Sequence, residues 1–316
     1  MSRKMSHIPV LVDAVLAGLN VAQQPGGWFV DGTVGAGGHA HAILSAAPQA
    51  HLLGLDRDPV ALALARERLA PFVERATLVH GSYVDLPQHV TAWRGAARPV
   101  DGILLDLGLS SMQVEDAARG FAFRHDGPLD MRFDPTGGGT TAADIVNDYE
   151  ADHLADVLYR YGEERNSRRI ARAIVAARPL HSTRQLADVV AAAQRGPRQQ
   201  IHPATRTFQA LRIAVNSELD VIAQVLPLAI NALGPGGRLA VIAFHSLEDR
   251  IVKERFRHEA ADCICPPRQP VCTCEHVARV RLVTRKPVQA DEAEVAANPR
   301  SRSAKLRVVE RLDTEV

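Results

Sequence analysis

The chain has 316 residues, a length that suits one large domain with an insertion, or two domains. Apolar residues make up 46% of it and charged residues 23%, which excludes a disordered or membrane-embedded protein. The net charge of +1 excludes a protein that coats nucleic acid through a general basic excess, so any such contact must be local. The first residues lack a signal-peptide pattern, and we expect a cytoplasmic protein with no membrane partner.

Short apolar runs alternate with glycine-rich turns and helix-like runs in the first third of the chain. This alternation predicts an α/β fold in which helices cover both faces of a parallel sheet. The segment 59–70 is expected to be a helix with Asp58 as its N-cap. The predicted strands are 28–31, 51–56, 76–80 and 101–106.

The strand pattern stops after Ser111 and returns about a hundred residues later. A loop rich in Gly and Asp (119–139) is followed by helical periodicity over 142–193. The α/β pattern resumes with a helix-like run at 208–233, a GPGG turn at 234–237, a strand at 238–246 and a helix-like run at 247–260. We therefore predict a discontinuous α/β domain, 1–112 and 207–316, interrupted by an all-helical domain over 113–206.

A glycine-rich turn follows the first predicted strand directly. Gly35, Gly37 and Ala40 fit a GxGxxA spacing at a strand-to-helix turn, where glycines let a ligand approach the backbone and the helix N-terminus offers free N–H groups. Asp56 ends the next strand, where an acidic side chain accepts hydrogen bonds from ribose hydroxyls. These features alone suit either a nicotinamide dinucleotide or S-adenosylmethionine.

Asp31, immediately before the glycine-rich turn, separates these two cofactors. A dinucleotide places its pyrophosphate against the helix, and a carboxylate would repel it. S-adenosylmethionine carries no phosphate, and its methionyl amine is cationic. Asp31 therefore favours methyl transfer.

Nine longer runs resemble one known family over nearly the whole chain, in the same order. The resemblance is to the bacterial 16S rRNA cytosine-N4-methyltransferase family, RsmH, also called MraW. The runs are HIPVL (7–11), DGTVGAGGH (31–39), LDRDP (55–59), DGILLDLGLSS (101–111), RGFAFRHDGPLDMRFDP (119–135), RYGEERNSRRIARAI (160–174), HPATRTFQALRIAVN (202–216), GGRLAVIAFHSLEDRIVK (236–253) and NPRSRSAKLRVVER (298–311).

The resemblance implies a class I, Rossmann-like S-adenosylmethionine methyltransferase sheet with an inserted helical substrate-recognition domain. The implied reaction is methylation of the N4 amine of a decoding-centre cytidine in 16S rRNA of the small ribosomal subunit. The family often has Phe where Tyr83 stands, and SSPQ where this chain reads SSMQ. The implied cofactor positions are Gly37, Gly38, His39, Asp56, Tyr83, Asp106 and Gln113.

Asp106 ends the fourth predicted strand, at the edge where class I enzymes bring cofactor and target together. A cytidine N4 amine is a poor nucleophile because its lone pair is delocalised into the ring. A carboxylate that accepts its N–H bonds would help the attack, so Asp106 is our candidate catalytic residue as well as a cofactor ligand. His245, at the end of the 238–246 strand, is a second candidate at the same edge. DNA amino-methyltransferases carry an aromatic residue after a polar-Pro-Pro run, which this chain lacks, and we expect no DNA substrate.

Two further clusters stand out. Arginines concentrate in the predicted helical domain, where they form either a solvated face or a surface for RNA phosphate. Four cysteines lie within twelve residues, but their CxC spacing differs from the CxxC of common zinc knuckles, so we expect free thiols and no metal. The arginines are Arg160, Arg165, Arg168, Arg169, Arg172 and Arg178, followed by Arg206 and Arg212; the cysteines are Cys263, Cys265, Cys272 and Cys274.

Two other functions remain open at this point. An NAD-dependent dehydrogenase would use the same glycine-rich turn. A non-catalytic ribosome-assembly factor would retain the fold without transferring a methyl group. Cofactor binding separates the first from a methyltransferase, and a transfer assay separates the second.

Overall fold

A computed structural model describes residues 8–95, 98–194, 202–266, 268–269 and 271–313. The chain folds into two compact units. The first, Met1–Gly108 with Leu219–Val316, is called the sheet unit below, and the second, Leu109–Glu218, the helical unit. The role of an inserted domain over 113–206 in substrate recognition stays a prediction.

The secondary structure alternates in the sheet unit and is helical between β4 and α11. The strands are β1 (Trp28–Asp31), β2 (His51–Asp56), β3 (Ala76–His80), β4 (Val100–Asp106), β5 (Leu233–Ala243), β6 (Val280–Leu282) and β7 (Lys305–Arg311). The helices are α1 (Val12–Gly18), α2 (Gly38–Ala46), α3 (Pro59–Arg68), α4 (Leu86–Arg94), α5 (Ser111–Glu115), α6 (Ala142–Asp148), α7 (Ala151–Gly162), α8 (Ser167–Ala176), α9 (Thr183–Ala193), α10 (Thr205–Asn216), α11 (Glu218–Ala232), α12 (Ser246–Glu259) and α13 (Glu292–Ala297).

The seven strands form one sheet in the order β3-β2-β1-β4-β5-β7-β6. The first five strands in this order are parallel to one another, whereas β7 runs antiparallel to both β5 and β6. Dinucleotide-binding sheets have the parallel order 3-2-1-4-5-6 without a reversed strand between the last two. The predicted fold class, a class I methyltransferase sheet, is confirmed.

Alternate residues of the central strands enter two separate cores, as a period of two requires. Phe29 and Leu104 pack with residues of α1, α2 and α3 on one face of the sheet. Val30 and Leu105 pack with residues of α4, α11 and α12 on the other. Because helices cover both faces of the sheet, both faces of these strands are buried, which explains their continuous apolar sequences.

The helical unit has its own core, built from helices α6 to α10 and the loop before α6. Side-chain bonds to backbone hold that glycine- and aspartate-rich loop. Arg119 donates to the carbonyls of Arg132 and Phe133. Asn216 donates to the carbonyl of Met131 and accepts from the N–H of Phe133. The loop is thus ordered without regular secondary structure.

Three predicted boundaries were wrong. The helix expected over 208–233 is two helices, because the backbone turns at Ser217, where φ is +50°. The GPGG turn lies inside β5, which starts at Leu233 and crosses a register shift against β4. The strand does not continue through 246, because β5 ends at Ala243 and α12 begins at Ser246.

Among the described residues, no single helix is long and apolar enough to cross a membrane, and α10 and α11 meet that test only when taken together as a bent pair.

Candidate active site

Three carboxylates end three neighbouring strands of the sheet unit. Asp31, Asp56 and Asp106 are the last residues of β1, β2 and β4. Because β1 pairs in parallel with both β2 and β4, these ends meet at one edge. The strand order reverses between β1 and β4, and parallel α/β sheets bind their ligands at such a reversal.

The glycine-rich turn is anchored on both neighbours of β1. The Gly32 N–H donates to the carbonyl of Leu104 in β4, and the Val34 N–H donates to the carbonyl of Leu55 in β2, both at 2.9 Å. The Gly35 N–H donates to Asp56 Oδ2 at 2.8 Å. Gly35 has a φ of +52°, a conformation that side chains disfavour. The turn therefore lies directly over the ends of β1, β2 and β4.

The turn leads into the N-terminus of α2. Gly37 is the N-cap with φ of +77°, and no side chain caps the helix. The first N–H groups of a helix have no intrahelical acceptor and attract anionic groups. Gly38 and His39 open this helix, so two predicted cofactor positions contribute backbone donors beside the carboxylate edge.

His39 is buried, with one ring nitrogen fixed by the backbone. Its Nε2 lies 2.8 Å from the carbonyl oxygen of Val10, which can only accept, so Nε2 carries the proton. Its Nδ1 therefore faces Asp106 Oδ2, at 3.6 Å. Burial lowers the pKa of His39, and the ring is neutral at neutral pH.

The carboxyl groups are unusually weak acids. Burial raises the pKa of Asp31 to about 7, and the charges of Asp106 and Asp56 add to this effect. Burial also raises the pKa of Asp106 to about 7, with a further contribution from the charge of Glu248. The pKa of Asp56 is raised by burial, although the N–H groups of Asp58 and Gly35 donate to it.

This acidic edge suits a cationic ligand. Among the described residues, none of the three carboxylates forms an ion pair with a lysine or arginine. Asp106 Oδ1 is buried and has no hydrogen-bond partner there. A buried acceptor without a partner is costly unless a ligand satisfies it. A positively charged ligand would also lower the pKa of each carboxyl group.

Thr33 positions Asp106, and the prediction did not include it. Its Oγ1 accepts the Asp106 N–H at 2.6 Å, which ties the glycine-rich turn to the end of β4. Tyr83 lies beside the same turn, since a Cβ added to Gly32 would be 3.2 Å from the Cβ of Tyr83. Tyr83 is half-buried and packs against the core that contains Val30, and its contact with an adenine stays a prediction.

Gln113 belongs to the helical unit and has a structural role there. Its Oε1 accepts the N–H of Ser110, while its own N–H donates to Ser110 Oγ, which forms a capping box at the start of α5. The S-x-x-Q spacing is the sequence signal for this motif. Its contact with a cofactor stays a prediction.

His245 also has a structural role, at the N-terminus of α12. Its Nδ1 accepts the N–H of Glu248, and Glu248 Oε2 accepts the N–H groups of Phe244 and His245, at 2.8 and 3.2 Å. Glu248 is fully buried, and its charge acts on Asp106. The sequence interpretation missed Glu248, although a glutamate three residues after an N-cap is a recognised signal.

Residues 4–312 match the family model described as the MraW methylase family. The chain belongs to the MraW methylase family. Proteins named ribosomal RNA small subunit methyltransferase H are similar to it along nearly their whole length. That of Thermomicrobium roseum is 52% identical over 311 residues, covering 97% of this chain and 94% of the relative. That of Syntrophotalea carbinolica is 53% identical over 312 residues, covering 97% of this chain and 98% of the relative.

A solved structure of an rRNA methylase from Streptococcus thermophilus aligns with this chain at 10% sequence identity and a TM-score of 0.42. The alignment covers 94% of this chain and 95% of the methylase chain. The predicted family is thus confirmed by the family model and by the relatives. Neither the dehydrogenase nor the non-catalytic assembly factor is supported by these comparisons.

The MraW-family chain carries its clustered arginines in two kinds of environment. Arg178 donates to the carbonyls of Val146 and Tyr149, and Arg212 makes a bidentate ion pair with Glu218 at 2.7 and 2.9 Å. These two support the helical unit itself. The exposed arginines of the cluster, all on or next to α7 and α8, are Arg160, Arg165, Arg168 and Arg172.

Proposed function

We propose that the chain is an S-adenosylmethionine-dependent methyltransferase that modifies the N4 amine of a decoding-centre cytidine in 16S rRNA. The observation that carries the proposal is the acidic edge of the sheet in an MraW-family chain, with the buried Oδ1 of Asp106 unpartnered among the described residues. The relatives named for the RNA of the small ribosomal subunit support the choice of substrate.

S-adenosylmethionine fits the donors and acceptors of this edge. In this proposal Asp31 accepts hydrogen bonds from the cationic amine, and Asp56 accepts them from the ribose hydroxyls. The N–H groups of Gly38 and His39 at the start of α2 suit the carboxylate of the methionyl end. Tyr83 offers an aromatic face to the adenine. When bound, the cofactor supplies an electrophilic methyl group on a sulfonium.

Asp106 is the residue that meets the target amine. Its Oδ1, which has no hydrogen-bond partner among the described residues, accepts a hydrogen bond from the cytidine N4 amine, and this directs the amine lone pair toward the methyl group. The amine must lose a proton once it is methylated. A carboxyl group whose pKa is about 7 can take that proton at neutral pH. The neutral Nδ1 of His39, 3.6 Å from Oδ2, faces the same carboxyl group.

The helical unit supplies the basic groups for RNA. Arg160, Arg165, Arg168 and Arg172 are exposed, and the guanidinium fork suits phosphate oxygens. On α8, the Nε and Nη2 atoms of Arg169 are buried without a hydrogen-bond partner among the described residues. A phosphate would satisfy these donors. A local basic surface agrees with a net charge of only +1.

A transfer assay tests this function. Small ribosomal subunits from cells that lack the corresponding enzyme are incubated with the chain and S-adenosylmethionine labelled in its methyl group. We expect label in 16S rRNA, and none when large subunits replace small ones. Subunits from wild-type cells, already modified, are the matched control. Label in protein alone, or equal label in all three substrates, would overturn the proposed substrate.

A further inference from the structure

The four cysteines of the chain converge on one point in the connection between α12 and β6. Their Sγ atoms all lie within 4.8 Å of one another. Cys272 Sγ is 3.5 Å from the Sγ atoms of both Cys263 and Cys274 and 4.0 Å from that of Cys265, while Cys263 and Cys274 are 3.8 Å apart. All four thiols are free.

These sulfur–sulfur distances match those of a tetrahedral metal site with four thiolate ligands. Four thiolates placed tetrahedrally around zinc, with Zn–S bonds of about 2.3 Å, have sulfur atoms about 3.8 Å apart. A disulfide would require about 2.05 Å, and each sulfur would then have one partner rather than several. The arrangement is therefore that of a four-coordinate thiolate site.

Backbone groups support the sulfur atoms in the way that metal sites require. The N–H of Ile264 donates to Cys274 Sγ at 3.4 Å, that of Cys265 to Cys263 Sγ at 3.4 Å, and that of Thr273 to Cys265 Sγ at 3.5 Å. Such bonds orient thiolates and stabilise their charge.

Zinc is bound by thiolates rather than thiols, so metal binding to these four cysteines must release protons.

Burial of apolar side chains does not stabilise the connection between α12 and β6. Its large apolar side chains are outside the core: Ile264 is 45% exposed, Val271 70% and Val277 62%. The described residues between α12 and β6 form no helix or strand. A short segment without its own core is ordered by another constraint, commonly a metal.

We propose that Cys263, Cys265, Cys272 and Cys274 bind one zinc ion that holds this connection in place. This differs from the free thiols that the CxC spacing favoured, because the spacing alone did not show that the two pairs face each other. The proposal is independent of the methyl-transfer function.

Metal analysis of the full chain, purified under reducing conditions without chelator, tests the site. We expect about one zinc per chain, and less than about a tenth of that in the double variant Cys263→Ser/Cys272→Ser. His276→Gln and Thr273→Ala are matched controls within the same loop and should keep the metal. Cobalt in place of zinc should show the absorption bands of tetrahedral thiolate coordination.

Limited trypsin digestion tests the structural role. Arg268 is exposed within the loop, and we expect a chelator to speed cleavage after it by about tenfold, with no effect in the double variant, which is cleaved fast throughout. Less than about a tenth of a zinc per wild-type chain, even after reduction and incubation with zinc, would overturn the proposal. So would an intact mass that reveals two disulfides.

Discussion

At the scale of single residues, the site geometry allows two roles for Asp106: holding the cofactor or contacting the reacting amine. Asp106 is half-buried at the end of β4, and its backbone N–H donates to the Thr33 hydroxyl, while its Oδ1 is buried and unpartnered in the part of the chain that the structure describes. A residue that only holds the cofactor changes its affinity when altered. A residue that touches the reacting amine changes the rate of the saturated enzyme.

Asp106→Asn retains the shape and one acceptor oxygen but removes the charge and the site for a proton. We expect single-turnover methyl transfer to fall by about a hundredfold or more, while S-adenosylmethionine affinity changes little. Asp101→Asn, at the opposite end of β4, is the control for a charge change on the same strand. Lower affinity with a preserved saturated rate would make Asp106 a cofactor ligand alone.

The raised pKa of Asp31 predicts how cofactor affinity depends on pH. A cationic ligand favours the ionised carboxyl group, so affinity should rise between pH 5 and 7, by up to about tenfold per pH unit. Binding in this range should release protons, measured by calorimetry in buffers of different ionisation enthalpy. Asp31→Asn should flatten the profile. A wild-type affinity independent of pH would contradict the cationic-ligand interpretation.

The stability of the ligand-free protein should show the opposite trend. Because the folded-state pKa of Asp31 and Asp106 is about 7, above the ordinary 3.8, the folded state binds more protons between these values. The contribution of these two groups to the free energy of unfolding is therefore largest at low pH and falls as pH rises to 7. Asp31→Asn should reduce this slope in denaturant titrations.

At the scale of elements, the capping box of α12 links helix stability to the chemistry of the site. Glu248→Gln keeps an oxygen for the N–H groups of Phe244 and His245 but removes the charge that raises the pKa of Asp106. We expect the rising limb of the pH–rate profile to move to lower pH, with a small change in stability. Glu248→Ala should cost about 1–3 kcal/mol of stability, because two backbone donors lose their acceptor.

Glu254 is exposed on α12, and Glu254→Gln is the control for this pair of variants. An unchanged pH–rate profile in Glu248→Gln would show that Glu248 acts on the fold alone.

Elements with strong local signals could be predicted from the sequence. The strands at 28–31, 51–56 and 76–80 match β1, β2 and β3 residue for residue, and Asp58 caps α3 through the N–H of Val60. The break at Ser217 could not be predicted, since apolar periodicity continues across it. The irregular start of β5 depends on pairing with β4, a contact between residues far apart in the chain.

The candidate site was predictable to a similar degree. Asp31, Asp56 and Asp106 follow apolar strands, so their common edge follows from parallel pairing. The capping role of Glu248 has a local signal, whereas its effect on Asp106 passes between α12 and β4 and has none. The convergence of the four Sγ atoms could not be predicted, because the CxC spacing does not indicate how a loop folds back on itself.

At the scale of the whole molecule, a net charge of +1 offers no general basic excess, so the proposed RNA binding would depend on a few local arginines. The double variant Arg168→Glu/Arg172→Glu should weaken binding to small-subunit RNA by at least about tenfold and reduce the dependence of affinity on salt. Cofactor affinity should not change. Both quantities are measured by titration at several salt concentrations.

Arg66→Glu, an exposed site on α3 in the sheet unit, is the matched control for charge reversal. Equal weakening by the control would assign the effect to net charge rather than to α8. A loss of cofactor affinity in the double variant would make these arginines part of the fold.

The identity of the methylated nucleoside is the most direct test of the proposed function. Small subunits that lack the modification are treated with the wild-type chain, the 16S rRNA is digested to nucleosides, and the products are separated and identified by mass spectrometry against standards. We predict N4-methylcytidine, its formation lost in Asp106→Asn. A methyl group on the C5 or N3 atom of cytidine, or on another base, would contradict the assignment of Asp106 to the exocyclic amine.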